Sequence, residues 1–360
     1  MIEKVLVVVV VIGLSFDGAC AQGSCRLNEY EMTCRGKNSL HELEKGKNYA
    51  EVDTLNVHQA GLDLSDDLFP NGINFSRLTL LNATNNEITR IGRRGFDKTR
   101  HVQFLYLSNN KIAHAQPDPF QSLEKLELLE MDEALDGNGE DKADMLRNFF
   151  KSKNNFIHLS KIELNKNRLD EIFPKTFCGV KRTCSEEICR VFLFQVQGLK
   201  RLELSNNRLQ SFNFARSCLG ELKALMLAGN LIQKIPADIW DFLPSVSSLD
   251  VSNNPLNCDC ETVRLVRDDD VVFINQAETK CASPPEVEGK SIFELRKDYC
   301  STARNPTGKS SFFQFIVLFV IAVGILFAYK KYRERLSHMS SAPVGYTNLQ
   351  HEQAVEPEFV

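Results

Sequence analysis

The sequence predicts an α/β repeat solenoid: a curved parallel sheet of about eight short strands, disulfide caps at both ends, and one transmembrane helix after it. Three observations predict it. The string LKRLELSNNRL from Leu199 recurs along most of the chain. Asparagines at 86, 110, 167, 207, 230 and 254 hold one place in that string, and phenylalanines at 69, 96, 120 and 177 recur between copies.

Eight copies align on L-x-x-L-x-L-x-x-N-x-L, starting at Val52, Leu78, Val102, Leu126, Leu159, Leu199, Leu222 and Val246. The fourth, LELLEMDEALD, is degenerate, and in the seventh Ile232 closes the pattern. Five of the seven start-to-start spacings (26, 24, 24, 33, 40, 23, 24) fall in the period of leucine-rich repeats, about 20–29 residues. A strand and return segment of this size cannot bury its own leucines, so stacking creates the core. An amphipathic bundle would show a 3.6-residue period instead of this asymmetric three-two pattern. An inward asparagine amide satisfies backbone groups at the tight turn after each strand, which a leucine cannot. The phenylalanines read as a stacked aromatic spine.

Residues 1–21 combine Lys4, an apolar run from Val5 to Leu14 and Ala19-Cys20-Ala21, the pattern of a cleaved signal peptide. Residues 312–329 are eighteen without a charge, thirteen of them Leu, Ile, Val or Phe. On an insertion scale of about −0.3 to −0.6 kcal/mol each, these favour the membrane by roughly 4 to 8 kcal/mol. Lys330, Lys331, Arg333 and Arg335 follow at once, which places the C-terminus in the cytoplasm. The expected organisation is a signal peptide (1–21), N-terminal cap (22–51), repeats (52–256), cysteine-rich C-terminal cap (257–300), stalk (301–311), bilayer span (312–329) and cytoplasmic tail (330–360), a single-pass type I plasma-membrane protein.

The formal net charge of −4 and the lack of a basic patch with interleaved aromatics argue against nucleic acid as a partner. Seven scattered histidines without HExxH, and no GxSxG, Walker loop or GxGxxG, leave an enzyme reading without support, and no cofactor or metal is expected. The segment DGNGEDKAD from Asp136 superficially matches a calcium loop, but its sixth position is Asp141 and its twelfth Arg147, where glycine and glutamate are required. A solvated acidic loop leading into a short helix around Met145–Phe150 is expected.

Ten of eleven cysteines remain after Cys20 leaves with the signal peptide, an even number that suits an oxidising compartment. Cys25 and Cys34 precede the first repeat. Cys258, Cys260, Cys281 and Cys300 follow the last as C-x-C-x20-C-x18-C, a spacing that suits disulfides better than a zinc knuckle. Cys178, Cys184, Cys189 and Cys218 surround the longest insertion, with three connectivities open.

Repeats of about 24 residues with a phenylalanine spine, closed by NPLNCDC and two later cysteines, resemble the extracellular leucine-rich-repeat proteins with a cysteine-rich C-terminal flank, a group that includes Slit, Toll-like receptors and neuronal adhesion molecules. The resemblance covers about 25–300 and implies pairing of Cys258 with Cys281 and of Cys260 with Cys300. The chain departs from the group in having only Cys25 and Cys34 in the N-terminal flank. The usual tryptophan after C-x-C is also missing, with Val263 and Leu265 in its neighbourhood, and the tail of 31 residues is far shorter than the signalling domain of Toll-like receptors.

Alternation along a strand turns the residues flanking the central leucines outward on the concave face. One column reads Leu80, Phe104, Leu128, with Tyr106 beside it, and another reads Glu130, Glu163, Glu203, Met226, Asp250. The first is an apolar patch that suits a partner unless the 136–155 insertion covers it. The second is an acidic ladder that suits a basic partner. Asn74 and Asn82 are N-glycosylation signals, the latter on the concave strand of the second repeat. In the tail, Tyr346 to Leu349 matches an internalisation or phosphotyrosine motif, and Val360 ends a sequence that suits a PDZ domain; either makes a cytoplasmic adaptor a partner. The expected function is cell-surface recognition or adhesion through an extracellular protein ligand. The alternatives are an accessory subunit of a membrane channel or receptor and an innate pattern-recognition co-receptor.

Overall fold

The computed structural model describes residues 23–43, 49–62, 64–69, 72–150, 156–178, 198–215, 218–266, 271–296, 299–302 and 310–339. The signal-peptide residues, Cys184, Cys189 and the tail residues Tyr346, Leu349 and Val360 lie outside them.

Eleven strands form one sheet. They are β1 (Ser24–Asn28), β2 (Glu31–Arg35), β3 (Thr54–His58), β4 (Leu80–Asn82), β5 (Phe104–Tyr106), β6 (Leu128–Glu130), β7 (Lys161–Glu163), β8 (Arg201–Glu203), β9 (Ala224–Met226), β10 (Ser248–Asp250) and β11 (Val272–Phe273). Only the first pair is antiparallel; every later neighbour is parallel and in sequence order. The central residues Leu55, Leu81, Leu105, Leu129, Ile162, Leu202, Leu225 and Leu249 all point into the core and are fully buried. The eight aligned copies are thus the eight stacked repeats.

The asparagines do their work across repeats. Asn86 Oδ1 accepts from the Ala60 N–H of the repeat before, while its amide donates to Val57 and Thr84 carbonyls. Asn110, Asn207, Asn230 and Asn254 repeat the pattern. The residue before each of these asparagine positions has a left-handed backbone in all eight repeats: Gln59, Asn85, Asn109, Glu133, Lys166, Asn206, Gly229 and Asn253, with φ between 51° and 65°. Asn and Gly tolerate that conformation best, which explains the doubled NN of the motif.

Phe69, Phe96, Phe120 and Phe177 are all buried. The long interval between Phe120 and Phe177 is filled from helix α1 (Gly139–Phe149). Phe149 lies 5.4 Å from Phe120, and Phe150 lies 5.1 Å from Phe177, ring centre to ring centre. Phe214 continues the row beyond Phe177. The insertion therefore carries a helix that starts six residues earlier than the sequence suggests. Asn138 caps it by accepting from Asp141 N–H at 2.9 Å, and Glu140 and Asp141 in the first turn oppose the positive end of the helix dipole.

Disulfides join Cys25–Cys34, Cys178–Cys218 and Cys258–Cys281. Cys25–Cys34 links β1 to β2 directly across the antiparallel pair. The pairing Cys260–Cys300 is not formed: Cys260 carries no disulfide. Cys258 follows the first strand of a two-stranded ribbon, Leu256–Asn257 with Cys281–Ser283, and Cys281 opens the second, whereas Cys260 opens helix α2 (Cys260–Leu265), capped by Asp259. The chain divides into two compact units, the first ending at Leu295 and the second beginning at Arg296.

The second unit contains a short helical turn, Tyr299–Thr302, and helix α3 (Ser310–Met339). Among the described residues no helix is long and apolar enough to cross a membrane; in α3 the described side chains are those of 319–333.

Candidate functional site

Strand register arranges the concave face into two columns. One runs Leu80, Phe104, Leu128, Lys161, Arg201, Ala224, Ser248, and the other Asn82, Tyr106, Glu130, Glu163, Glu203, Met226, Asp250. The structure brings Leu80, Phe104, Leu128 and Tyr106 onto three adjacent strands, each side chain half-buried. Helix α1 does not cover them, because its apolar face, including Phe149, is spent on the phenylalanine spine. Tyr106 stands in the acidic column, directly opposite Glu130.

Two cations interleave with the acids. Lys161 Nζ lies 2.5 Å from Glu163 and 3.5 Å from Glu203, and Arg201 Nε donates to Glu203 Oε1 at 2.7 Å. Period-two spacing in Lys161-Ile-Glu163 and Arg201-Leu-Glu203 is the sequence signal for these neighbours. A third row, Ser108, Asp132 and Asn165, lies beside the acids and carries no such signal. Ser108 Oγ donates to Glu130 Oε1 at 2.8 Å, and Asn165 Nδ2 donates to Asp132 Oδ2 at 3.0 Å and Glu203 Oε2 at 3.3 Å.

Glu163 and Glu203 are electrostatically unlike. Burial lifts the Glu163 carboxyl above its ordinary pKa despite the hydrogen bond from Lys161, with repulsion from Glu203 and Glu130 adding to the effect. Glu203 is also desolvated, but hydrogen bonds from Arg201 and Asn165 prevail and hold it below the ordinary value. Desolvation pulls Lys161 down, yet its bond to Glu163 wins and raises it.

The ladder stops short of its sequence-derived end. Met226 and Asp250 are both 6% exposed. Asp250 is consumed by the C-terminal cap, where Asn275 donates to its Oδ2 at 2.8 Å and Ser252 N–H to its Oδ1 at 3.0 Å. Asn82 sits half-buried on β4 with its Oδ1 accepting from Thr84 N–H and Thr84 Oγ1, whereas Asn74 is exposed off the sheet.

A family model for the leucine-rich repeat matches residues 76–133 and 197–256, the third and sixth repeats among them. These matched segments are leucine-rich repeats. Over 315 residues, 83% of its length, it is 25% identical to the CD180 antigen of Mus musculus, of which it spans 46%. Over 107 residues, 28% of its length, it is 30% identical to the vasorin of Homo sapiens, of which it spans 16%. The chain thus covers less than half the length of these relatives. The crystal structure of human 5T4 (Wnt-activated inhibitory factor 1, trophoblast glycoprotein) superposes with a TM-score of 0.62 at 20% identity, covering 76% of this chain and 96% of that one, a likeness of fold.

Proposed function

We propose that the chain is a cell-surface recognition receptor that binds an extracellular protein through the concave face of β4–β8. The observation that carries this reading is the juxtaposition on adjacent strands of an apolar group, Leu80, Phe104, Leu128 and Tyr106, with the acids Glu130, Glu163 and Glu203. Aromatic and apolar side chains supply contact area at the centre of an interface, and charges beside them select the partner and orient it. Against four acids, counting Asp132, stand two cations, so the complementary patch on the partner is net basic.

Anchoring rests on the sequence of 312–329 and on α3, whose Phe319, Leu326 and Phe327 are more than half exposed, as lipid-facing side chains are. The exposed Asn74 and the concave Asn82 carry glycans in this reading. Cytoplasmic recruitment through Tyr346, Leu349 and Val360 belongs to it as well.

The test is cell-based. Full-length protein displayed on one cell population is mixed with unmodified cells, and bound partners are recovered by proximity labelling. A partner on the opposing cell whose capture is lost with Phe104→Asp supports the reading. A partner found only in the same membrane, and retained by Phe104→Asp, overturns it in favour of an accessory subunit.

A further inference from the structure

Away from the concave face, the turns that follow the strands of the third to sixth repeats enclose an open cavity of about 630 Å³ together with the start of α1. Its lining is polar, with Leu135 the one aliphatic side chain longer than a methyl. Three cations converge there: Lys142 from the first turn of α1, Arg168 from the fifth repeat and Arg208 from the sixth.

Lys142 is unusual for a lysine, since the residue is only 4% exposed. Its Nζ donates to the Asn167 carbonyl at 2.9 Å, and an ammonium has two further N–H donors. No carboxylate lies within ion-pair distance of Lys142, Arg168 or Arg208 among the described residues. By contrast, the rim lysines Lys111 and Lys166 are tied to Glu87 and Glu133. Burial and the charge of Arg168 hold the Lys142 ammonium below its ordinary pKa; Asp136 and Asp170 oppose that shift and Arg208 adds to it. A desolvated cation beside two like charges is costly until an anion joins it.

The carboxylates decide which anion. Asp170 packs so closely on Gly139 that a side chain there would collide with its carboxylate, so the end of α1 is already faced by an acid. Asp136 and Glu133 line the same cavity. A polyacidic ligand would meet these three acids at every turn. A ligand with one acidic group and several hydroxyls would place the anion on Lys142, Arg168 and Arg208 and donate its hydroxyls to the carboxylates.

We propose that this cavity binds an acidic saccharide, its carboxylate or sulfate held by Lys142, Arg168 and Arg208 and its hydroxyls by Asp136 and Asp170. The site is separate from the concave protein-binding face and does not depend on it.

The experiment titrates the full-length chain in detergent with sialyllactose and a sulfated lactose, against neutral lactose, an oligoglutamate peptide and inorganic sulfate. Saturable binding of either acidic sugar, at least tenfold tighter than lactose and weakening as salt is raised, is the expected result. Arg208→Gln combined with Arg168→Asn removes two exposed charges without touching the core, Asn being chosen because Arg168 has φ 55°. That variant is expected to lose at least tenfold in affinity, while Glu203→Gln on the concave face leaves sugar binding unchanged. No preference for the acidic sugars, equal binding of oligoglutamate or of sulfate alone, or undiminished binding by the double variant would each overturn the proposal.

Discussion

The side-chain oxygen of Asn167 accepts the backbone N–H of Ala134, in the preceding repeat, at 2.9 Å. It also accepts from Leu135 N–H, and its amide donates to the Met131 carbonyl. The degenerate fourth repeat has alanine where the motif calls for asparagine, yet it receives from its successor the same cross-repeat bonds that Asn86 gives the first repeat. Asn167→Ala strands these buried groups, at about 1–3 kcal/mol for each left unsatisfied. Denaturant unfolding is expected to show a loss of at least about 2 kcal/mol; a loss under about 1 kcal/mol would contradict this account.

Register within a repeat is tested at Leu204 and Glu203. Leu204 is fully buried behind the sheet, so Leu204→Ala should cost about 2–5 kcal/mol through the cavity it leaves. Glu203 points to the concave face, where Glu203→Ala removes hydrogen bonds that are partly solvated and should cost no more than about 1 kcal/mol. Equal losses at the two positions would mean that the alternation is misassigned.

The period-two face and the 24-residue spacing made the stacking legible, since inward leucines and cross-repeat asparagines obey local rules that every copy restates. What stayed hidden came from outside the period. Phe149 and Phe150 complete the aromatic spine from an insertion with no repeat of its own, so spacing could not reveal them. Asp250 is removed from the acidic ladder by Asn275, a contact made by the cap and absent from the repeat pattern. Lys161 and Arg201, by contrast, were recoverable. Each stands two residues before an acid on the same face, and reading the flanking positions as one surface pairs them.

Left-handed backbone at the eighth position of each repeat makes a stabilising substitution available. Lys166 holds φ 57° with its ammonium on an exposed partner, Glu133, and an exposed pair of this kind contributes little. A residue other than Gly or Asn in this conformation costs roughly 1–2 kcal/mol. Lys166→Asn is therefore expected to raise the melting temperature, with a gain of about 0.5–1 kcal/mol. An unchanged or lower melting temperature would count against backbone strain at this position.

Glu163 and Glu203 carry opposite pH signatures. Because the folded Glu163 carboxyl is raised, its contribution to stability is fully present below the ordinary glutamate pKa and is lost as pH rises through the folded value. Glu203 is lowered, so its contribution is present above the ordinary value and is lost as pH falls through its folded value. At neutral pH, Glu163→Gln should leave stability unchanged or increased, and Glu203→Gln should reduce it. Denaturation curves across pH 3–7 check this, and identical profiles for the two variants would contradict the assignment.

The concave face yields the last prediction. Tyr106 lies opposite Glu130 and beside Asn82 on adjacent strands, at the junction between the apolar and acidic halves of the surface. Large aromatics at such junctions dominate interface energetics, and truncating one typically costs more than about 1–2 kcal/mol of binding. Tyr106→Ala is expected to weaken capture of the protein partner by at least about tenfold, while the half-buried position spares the core. A glycan on Asn82 would stand next to Tyr106 and restrict access to the earlier strands. Abolishing that signal with Thr84→Ala should then leave partner binding unchanged or tighter, provided surface levels are matched by antibody staining. Full-strength binding by Tyr106→Ala, together with weaker binding by Thr84→Ala, would shift the partner's footprint away from β4–β6 and toward the glycan itself.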